Sequence, residues 1–221
     1  MTRKVVHISL AIIGFIVLTS KSCEPDVDID QATGLKAKQD STLKELKNEF
    51  ESAYLFEDKL LVYGEKAKQK LLDFADYLSM YSNKNIDTLF KQQIREMIYR
   101  LFYNDDAIIR LSVVPTKSAG NINYHLTTLL CSIDTSKYTS IEFVIANLKI
   151  VEPLHLESAE RYIGKLGCRF RITGITENDT ILLYETSNQV KIITTRTSKQ
   201  FGTDTSLLVW QVFLVEVDAV N

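Results

Sequence analysis

Two histidines are the residues beyond position 23 whose side chains are best suited to acid–base chemistry or metal binding. His155 lies in the stretch EPLHLE (152–157), where carboxylates on both sides can raise its pKa or add weak metal ligands. His125 alternates with Tyr124 and Leu126 in a strand-like segment. An exposed histidine at a strand end or in a loop explains the first residue equally well, and a cavity wall or an exposed face explains the second. Because two histidines are too few for a multi-histidine metal centre and the sequence has no CxxC or HExxH spacing, no metal or cofactor is predicted.

Three acidic residues are the other candidates for acid–base chemistry, and each belongs to a segment with strand character: Asp134, Glu142 and Glu185. The solvated outer face of a sheet explains all three of them. The chain has only 8 glycines, and we find neither a phosphate-cradling glycine loop nor a nucleophile elbow. These observations favour a protein that is not an enzyme.

Cys23 ends a segment with the layout of a secretory signal. Arg3 and Lys4 precede an almost wholly apolar stretch over residues 8–19. With a cysteine at the cleavage point, the segment resembles a bacterial lipoprotein signal of the Bacteroidetes type, in which the thiol takes lipid and becomes the new N-terminus. The resemblance implies a signal peptide over residues 1–22, acyl chains such as palmitate on Cys23, and anchoring in the outer membrane, with surface exposure in some such proteins.

An acidic stretch without apolar period follows the cysteine. Residues 24–34 read EPDVDIDQATG, and we predict a flexible tether over 23–34. Acidic residues directly after the cysteine often mark surface export in proteins with this type of signal. Two alternatives remain, an ordinary cleaved signal and an uncleaved membrane anchor, although the apolar stretch is shorter than the roughly 20 residues that span a bilayer core.

Removal of the signal changes the charge balance of the chain. The full sequence has 26 lysines and arginines against 28 aspartates and glutamates. Residues 1–22 contain three basic residues (Arg3, Lys4, Lys21) and no acid, so the mature chain has 23 basic and 28 acidic residues and a net charge of −5. This mild acidity argues against nucleic acid as a partner. The expected partners are the membrane, through the lipid, and a protein of the cell envelope.

Two further cysteines, Cys131 and Cys168, fall in segments that we predict to be strands. An exported protein meets an oxidising compartment, where an even pair can form a disulfide if the two Cα atoms lie within about 7 Å. Two buried, unpaired thiols explain the same residues, and this is the interpretation that the sequence favours.

The first half of the mature chain has helical periodicity. Three helices are predicted. The first is amphipathic and covers residues 35–54, and the last begins after Asp87, which can cap it, and ends at Asn104 and Asp105. Between them lies the strongest helical pattern of the chain, with apolar or small residues every three or four positions: Leu60, Gly64, Ala67, Leu71, Phe74, Leu78 and Tyr81. The predicted buried face of the third helix consists of Phe90, Ile94, Met97, Ile98 and Leu101.

After residue 106 the period changes to two. Six strands rich in β-branched and aromatic residues are predicted at 108–114, 124–133, 141–151, 162–175, 181–195 and 207–217. Turns are predicted at 177–179 and 201–204, and bulges near Ser187 and Asn188. The alternation of polar and apolar residues indicates antiparallel strands with one solvated face.

These elements predict an α+β fold in which helices, at 35–105, pack on a strongly curved antiparallel sheet of about six strands, at 106–221, in a single domain. Across residues 57–217 the order of elements and the strand lengths resemble the NTF2-like cone, in which a bent sheet wraps over helices. That fold usually places a helix after an early strand, whereas the predicted order here has every helix first. Cystatin-like, lipocalin-like and two-layer sandwich arrangements remain alternatives.

Two functions follow from these predictions. The first is a lipid-anchored envelope module that binds or assembles without catalysis, as the signal, the acidic tether and the lack of a catalytic set suggest. The second is a small-molecule enzyme or carrier that uses the open end of a cone, which the fold resemblance alone implies.

Overall fold

Three helices and six strands make up the described part of the chain, which a computed structural model covers at residues 54–111, 124–201 and 205–220. The helices are α1 (Glu57–Ser82), α2 (Thr88–Tyr99) and α3 (Leu126–Asp134). The strands are β1 (Ile108–Ile109), β2 (Tyr124–His125), β3 (Ser140–Ser158), β4 (Arg161–Ile175), β5 (Thr180–Phe201) and β6 (Thr205–Ala219). They belong to one compact unit, Glu49–Asn221.

Helix α1 forms where the longest apolar period predicts it. Its buried side is made of small and apolar residues at helical spacing, from Gly64 to Tyr81. Two carboxylates in the first turn, Glu57 and Asp58, favourably face the positive end of the helix dipole. The helix packs against β3 and β6, which makes it the main link between the helical layer and the sheet.

Helix α2 begins at the predicted cap. The Asp87 carboxylate accepts a hydrogen bond of 3.0 Å from the backbone N–H of Phe90. The helix ends at Tyr99, several residues before the predicted end. Ile94 and Ile98 are buried as predicted, whereas Phe90 and Met97 are exposed, because α2 contacts the core through a narrow stripe only.

The predicted strand over 124–133 is wrong, because most of this segment is helix α3. Two residues, Tyr124 and His125, form the short strand β2, and the helix follows directly. Its buried residues have the spacing i, i+3, i+4, i+7, which is helical: Leu126, Leu129, Leu130 and Ile133. The residues between them, two threonines, a cysteine and a serine, do not exclude a strand, so the composition of the segment hid its helical period.

The sheet has the strand order β2-β1-β6-β5-β4-β3. Neighbouring strands are antiparallel with one exception, since β1 runs parallel to β6 through the pair Ile109 and Val217. The prediction of a purely antiparallel sheet is therefore wrong at this pair. The reason is topological. Strands β3 to β6 form an antiparallel meander, whereas β1, which precedes them in the chain, lies along the edge of β6 that β5 does not occupy.

The four long strands carry bulges that bend the sheet. The ladder of β4 and β5 skips Leu183, and that of β5 and β6 skips Val215. No bulge occurs at Ser187 and Asn188, where we predicted one, because these residues pair regularly with Arg169 and Cys168. Further register shifts divide the ladder of β3 and β4.

One hydrophobic core joins the helices to the inner face of the sheet. Along β4, Leu166, Cys168, Phe170 and Ile172 are buried while the residues between 169 and 173 on the other face are exposed or half-buried, as the alternation predicts. The α+β fold, with helices packed on a bent six-stranded sheet, is confirmed. The predicted order with every helix before the strands is wrong, because helix α3 follows β1 and β2.

Several predicted features lie outside the described residues. They are the signal over 1–22, the tether over 23–34, the helix over 35–54 except its last residue, residues 112–114 of the first strand, and the turn residues 202–204. The turn at 177–179 is confirmed by a hydrogen bond of 2.9 Å from the Thr176 N–H to the Asp179 carbonyl. Within the described ranges no helix combines the length and apolarity needed to cross a membrane.

Candidate functional site

The two histidines lie at opposite edges of the sheet. His125 is exposed in β2, directly before α3, and its ring makes no capping hydrogen bond to that helix. His155 is exposed in β3. Because β2 and β3 are the two outermost strands of the order, the fold does not bring these side chains together. No group of three or more potential metal ligands is found among the residues that the structure describes.

The surroundings of His155 are those of a surface ion-pair network. Its Nδ1 lies 3.6 Å from the nearer Glu152 oxygen, but the other oxygen of that carboxylate is 2.8 Å from Lys165 Nζ. The hydrogen bond from Lys165 lowers the pKa of the Glu152 carboxyl. Glu157, the second predicted neighbour, lies 3.5 Å from Arg161 instead. His155 is therefore better described as an exposed histidine on a strand than as part of a set of metal ligands.

Cys131 and Cys168 are both free thiols, so the disulfide alternative is wrong for this structure. The physical reason is the helix in place of the predicted strand, because Cys131 lies on the exposed side of α3 while Cys168 is buried in β4. Burial raises the pKa of the Cys168 thiol to about 12, so it remains protonated and unreactive at neutral pH. Cys23 lies outside the described residues.

Asp134 belongs to a charged cluster where the three helices meet, which we call the Tyr81 cluster (Tyr81, Lys91, Arg95, Asp134). The Tyr81 hydroxyl donates to the Asp134 carboxylate and accepts from Arg95. Arg95 and Lys91 also pair with that carboxylate, at 3.3 and 3.5 Å. Burial, which is the largest effect, raises the pKa of Tyr81 to about 12. Each polar group has a partner inside the cluster, so its role is to hold the helices together.

A groove runs along β6, and we call it the β6 groove. It lies between α1, the segment after α2, and the first half of β6, and it has a volume of about 930 Å³. Its lining consists of Tyr63, Lys66, Gln69, Lys70, Arg100, Phe102, Lys199 and residues 209–213. Four of these side chains are cationic, and none is a carboxylate, an imidazole or a thiol.

The cations of the β6 groove sit against aromatic rings. Lys66 Nζ lies 4.6 Å from the centre of the Tyr63 ring, and Lys70 Nζ lies 5.1 Å from that of Phe213. Among the described residues, no carboxylate forms an ion pair with Lys66, Lys70 or Arg100. Burial lowers the pKa of Lys70, against a smaller opposite effect of Asp73. A bound anion would therefore stabilise a charge that the groove leaves without a direct counter-ion.

The floor of the groove is rigid. Trp210 is buried, and its ring packs edge-to-face on Tyr162 at 5.5 Å. The Tyr63 hydroxyl donates a hydrogen bond of 3.1 Å to the Trp210 carbonyl, which fixes α1 against β6. Phe102 packs edge-to-face on Phe74 of the core at 5.0 Å. The apolar walls are thus continuous with the hydrophobic core.

The sequence contains only part of the signal for this groove. On α1, Tyr63, Lys66 and Lys70 have the spacing i, i+3, i+7 and so share one helix side, which is visible in the sequence. Arg100 and Lys199 come from distant segments, and only the packing of α1 along β6 brings them near.

Comparisons with known proteins identify structures of similar shape. No family model matches the sequence, and no curated protein matches it. A putative scytalone dehydratase from Novosphingobium aromaticivorans is 12% identical, with a TM-score of 0.39 over 75% of this chain and 89% of that one. A type 2 hexachlorocyclohexane dehydrochlorinase (LinA) is 13% identical, with a TM-score of 0.32 over 70% of this chain and 84% of that one. The fold assignment rests on the elements and packing described above.

Proposed function

We propose that this chain is a lipid-anchored protein of the cell envelope whose α+β domain binds an anionic ligand in the β6 groove. The observation that carries the binding role is the composition of the groove. It places Lys66 and Lys70 beside aromatic rings and Arg100 in the same lining, and among the described residues no carboxylate forms an ion pair with these three cations. The anchoring role is supported by the signal-like segment that ends at Cys23.

Binding fits the chemistry of the groove better than catalysis does. The described residues of its lining offer positive charge and apolar surface, and none of them is a carboxylate or an imidazole that could transfer a proton. The buried polar side chains of the described core are Ser82, Asn188 and Thr194, and none of them lines the groove. The inner space of the bent sheet is filled by side chains such as Phe74 and Phe170, which are fully buried.

Trp210 allows a direct test of binding, because it is the only tryptophan of the chain and lines the groove. We expect 8-anilinonaphthalene-1-sulfonate, an anionic aromatic probe, to bind saturably and to quench Trp210 fluorescence. Lys70→Gln should weaken the probe's affinity roughly tenfold through loss of a charge-assisted contact.

Lys68→Gln is the matched control for this experiment. Lys68 lies on the same helix, pairs with Glu65 at 2.8 Å and does not line the groove, so its loss should leave the affinity unchanged. Equal affinities of both variants and the unaltered protein would contradict binding in the β6 groove.

The anchor is tested by metabolic labelling. Cells that express the full chain and grow with labelled palmitate should incorporate the label, and Cys23→Ala should abolish it and release the protein from membranes. Cys131→Ala is the control, since Cys131 is the exposed thiol among the described residues and should not be the site of acylation. Label that persists in Cys23→Ala would show that the lipid-anchor assignment is wrong.

A further inference from the structure

Large apolar residues are exposed at the end of the domain where helix α1 begins. Among the described residues, five large apolar residues are more than half exposed, and four of them belong to this end. The four, which we call the apolar end, are Tyr54, Phe56, Leu61 and Leu156, with exposed fractions of 57%, 72%, 64% and 51%. The fifth is Leu89 of α2. Single exposed apolar residues are ordinary, whereas a group of them at one place indicates a contact surface.

A hydrogen bond and a strand pair bring the residues of the apolar end together. The backbone N–H of Leu55 donates to the Tyr162 hydroxyl at 3.0 Å, which places Phe56, the next residue, beside the start of β4. Leu156 of β3 pairs with the same Tyr162, and Cβ atoms of such a pair lie about 5 Å apart. Leu61 follows on the second turn of α1. The start of α1 and the end of β3 therefore form one surface.

Leu89 lies at the opposite end of the molecule. Helix α1 has 26 residues and is therefore about 39 Å long. Helix α2 bonds to the last turns of α1 through Arg95 and Tyr81, so its first residues lie near the far end of α1. Leu89 and Phe56 are both 72% exposed. The chain thus has two equally exposed apolar positions at its two ends, and one of them belongs to an apolar group.

The segment that leads to the predicted lipid enters the domain at the apolar end. Residues 24–53 connect Cys23 to Tyr54, the first described residue. Because of this covalent link, the apolar end can reach the bilayer with the least extension of the intervening chain. An anchor also holds the domain at a high local concentration of lipid, so that a small apolar surface is sufficient for binding. The bilayer is therefore the partner that this surface meets first.

We propose that the apolar end binds the surface of the bilayer that holds the lipid anchor, with Phe56, Leu61 and Leu156 inserted into the headgroup region. This inference rests on the proposed function and adds a fixed orientation of the domain on the membrane. The rings of Tyr54 and Phe56 suit the membrane interface, where amphipathic and aromatic helix residues insert. The first turn of α1 is acidic and residues 23–221 have a net charge of −5, so zwitterionic lipid is favoured over anionic lipid.

The test uses the full chain, acylated in cells, in vesicles of phosphatidylcholine whose acyl chains carry bromine, which quenches tryptophan fluorescence at short range. Phe56→Trp and Leu89→Trp add an indole at the two positions of equal exposure, and the unaltered chain gives the background from Trp210. An inserted side chain reaches the boundary of the acyl region, so we expect a roughly twofold or greater loss of the added fluorescence for Phe56→Trp and almost none for Leu89→Trp. Equal quenching of both, or quenching of neither, would overturn the proposal.

Serine substitutions test the surface from the protein side. In the Phe56→Trp chain, Leu61→Ser and Leu156→Ser together should remove most of the quenching, because they take away the apolar area that neighbours the indole. Leu89→Ser in the same chain is the matched control and should leave the quenching unchanged. All three leucines are exposed, so the variants should fold, as circular dichroism would show. Quenching that survives the paired serines would overturn the proposed surface.

The outcomes separate this inference from the proposed function. Palmitate on Cys23 without quenching of Phe56→Trp would retain the anchor and reject the membrane contact. Absence of palmitate would reject the anchor itself, and the membrane contact with it. Stronger quenching in vesicles of brominated phosphatidylglycerol than in phosphatidylcholine, at the same ionic strength, would overturn the preference for zwitterionic lipid. Self-association of the Cys23→Ala chain that Leu61→Ser and Leu156→Ser abolish would assign the apolar end to a second copy of the chain instead.

Discussion

The Tyr81 hydroxyl joins all three helices, since it lies on α1 and bonds to Arg95 of α2 and Asp134 of α3. Tyr81→Phe removes both bonds and leaves the ring in place. We expect a loss of about 1 kcal/mol in the free energy of unfolding, measured by urea denaturation at pH 7. Tyr77→Phe on the same helix is the control, because its hydroxyl makes no hydrogen bond to a described residue, and it should be nearly neutral. A neutral Tyr81→Phe would show that the cluster contributes nothing to stability.

Tyr81 also predicts how stability depends on alkaline pH. Its pKa is raised in the folded chain from 10.0 to about 12. Between these values the unfolded chain loses the phenolic proton and the folded chain keeps it, so stability falls as pH rises from 10 to 12, by up to roughly 2 kcal/mol. Denaturation at a series of pH values should give a shallower decline for Tyr81→Phe than for the unaltered protein. Parallel declines would contradict the raised pKa.

Two glycines show how differently the helix and the sheet tolerate a methyl group. A Cβ at Gly64 of α1 would lie 2.8 Å from the tip of the Ile150 side chain, which can rotate away. A Cβ at Gly164 of β4 would lie 2.8 Å from the Glu152 carbonyl oxygen and 3.2 Å from the Leu154 nitrogen, both of them backbone atoms. We expect Gly164→Ala to destabilise the fold by about 1 to 3 kcal/mol, because strand β3 cannot move independently.

Gly64→Ala is the matched substitution and should change stability by less than about 1 kcal/mol, because alanine's higher helix propensity offsets the crowding. Thermal unfolding of both variants measures the contrast. Equal losses at the two positions would mean that the packing of α1 on β3 is as rigid as the sheet.

The sequence predicts correctly those helices and strands whose apolar pattern is long enough to distinguish a helix from a strand. Helix α1 repeats its apolar spacing over six steps, and β4 alternates along most of its length, interrupted at Gly167, so both are confirmed. Helix α3 has nine residues and hence about two turns, which a short apolar run rich in leucine and threonine does not distinguish from a strand. The parallel pairing of β1 depends on a two-residue contact that no periodicity records.

The candidate site was less predictable than the elements, for a related reason. Local spacing could place Lys66 and Lys70 on one side of α1, but Arg100 joins them only through the path of the chain after α2. The histidines that the sequence singles out lie at opposite edges of the sheet. Selection by residue type thus pointed to the two histidines, which the fold separates. The basic residues that the fold brings together have no feature in the sequence that distinguishes them from other surface residues.

At the scale of the whole molecule, charge is distributed unevenly. Residues 23–221 have a net charge of −5, yet among the described residues the β6 groove is lined by Lys66, Lys70 and Arg100 and by no carboxylate. The general field therefore repels polyanions, whereas the local field of the groove favours a small anionic ligand. Binding of such a ligand should weaken as salt is added.

The two cysteines of the domain can report on opening of the whole fold. We expect a thiol reagent at pH 8, applied to the Cys23→Ala chain, to modify Cys131 rapidly and Cys168 only as the protein unfolds. Cys131 is exposed, whereas Cys168 is buried in β4 between two flanking strands, and its pKa is raised to about 12. A reactive thiolate therefore requires β4 to separate from its neighbours, which is global unfolding.

Cys131→Ser should remove the fast phase and keep the slow one, and the slow rate should rise with urea in parallel with unfolding. Two fast phases would show that β4 opens locally, and no reaction until a reductant is added would show that the two thiols are bridged.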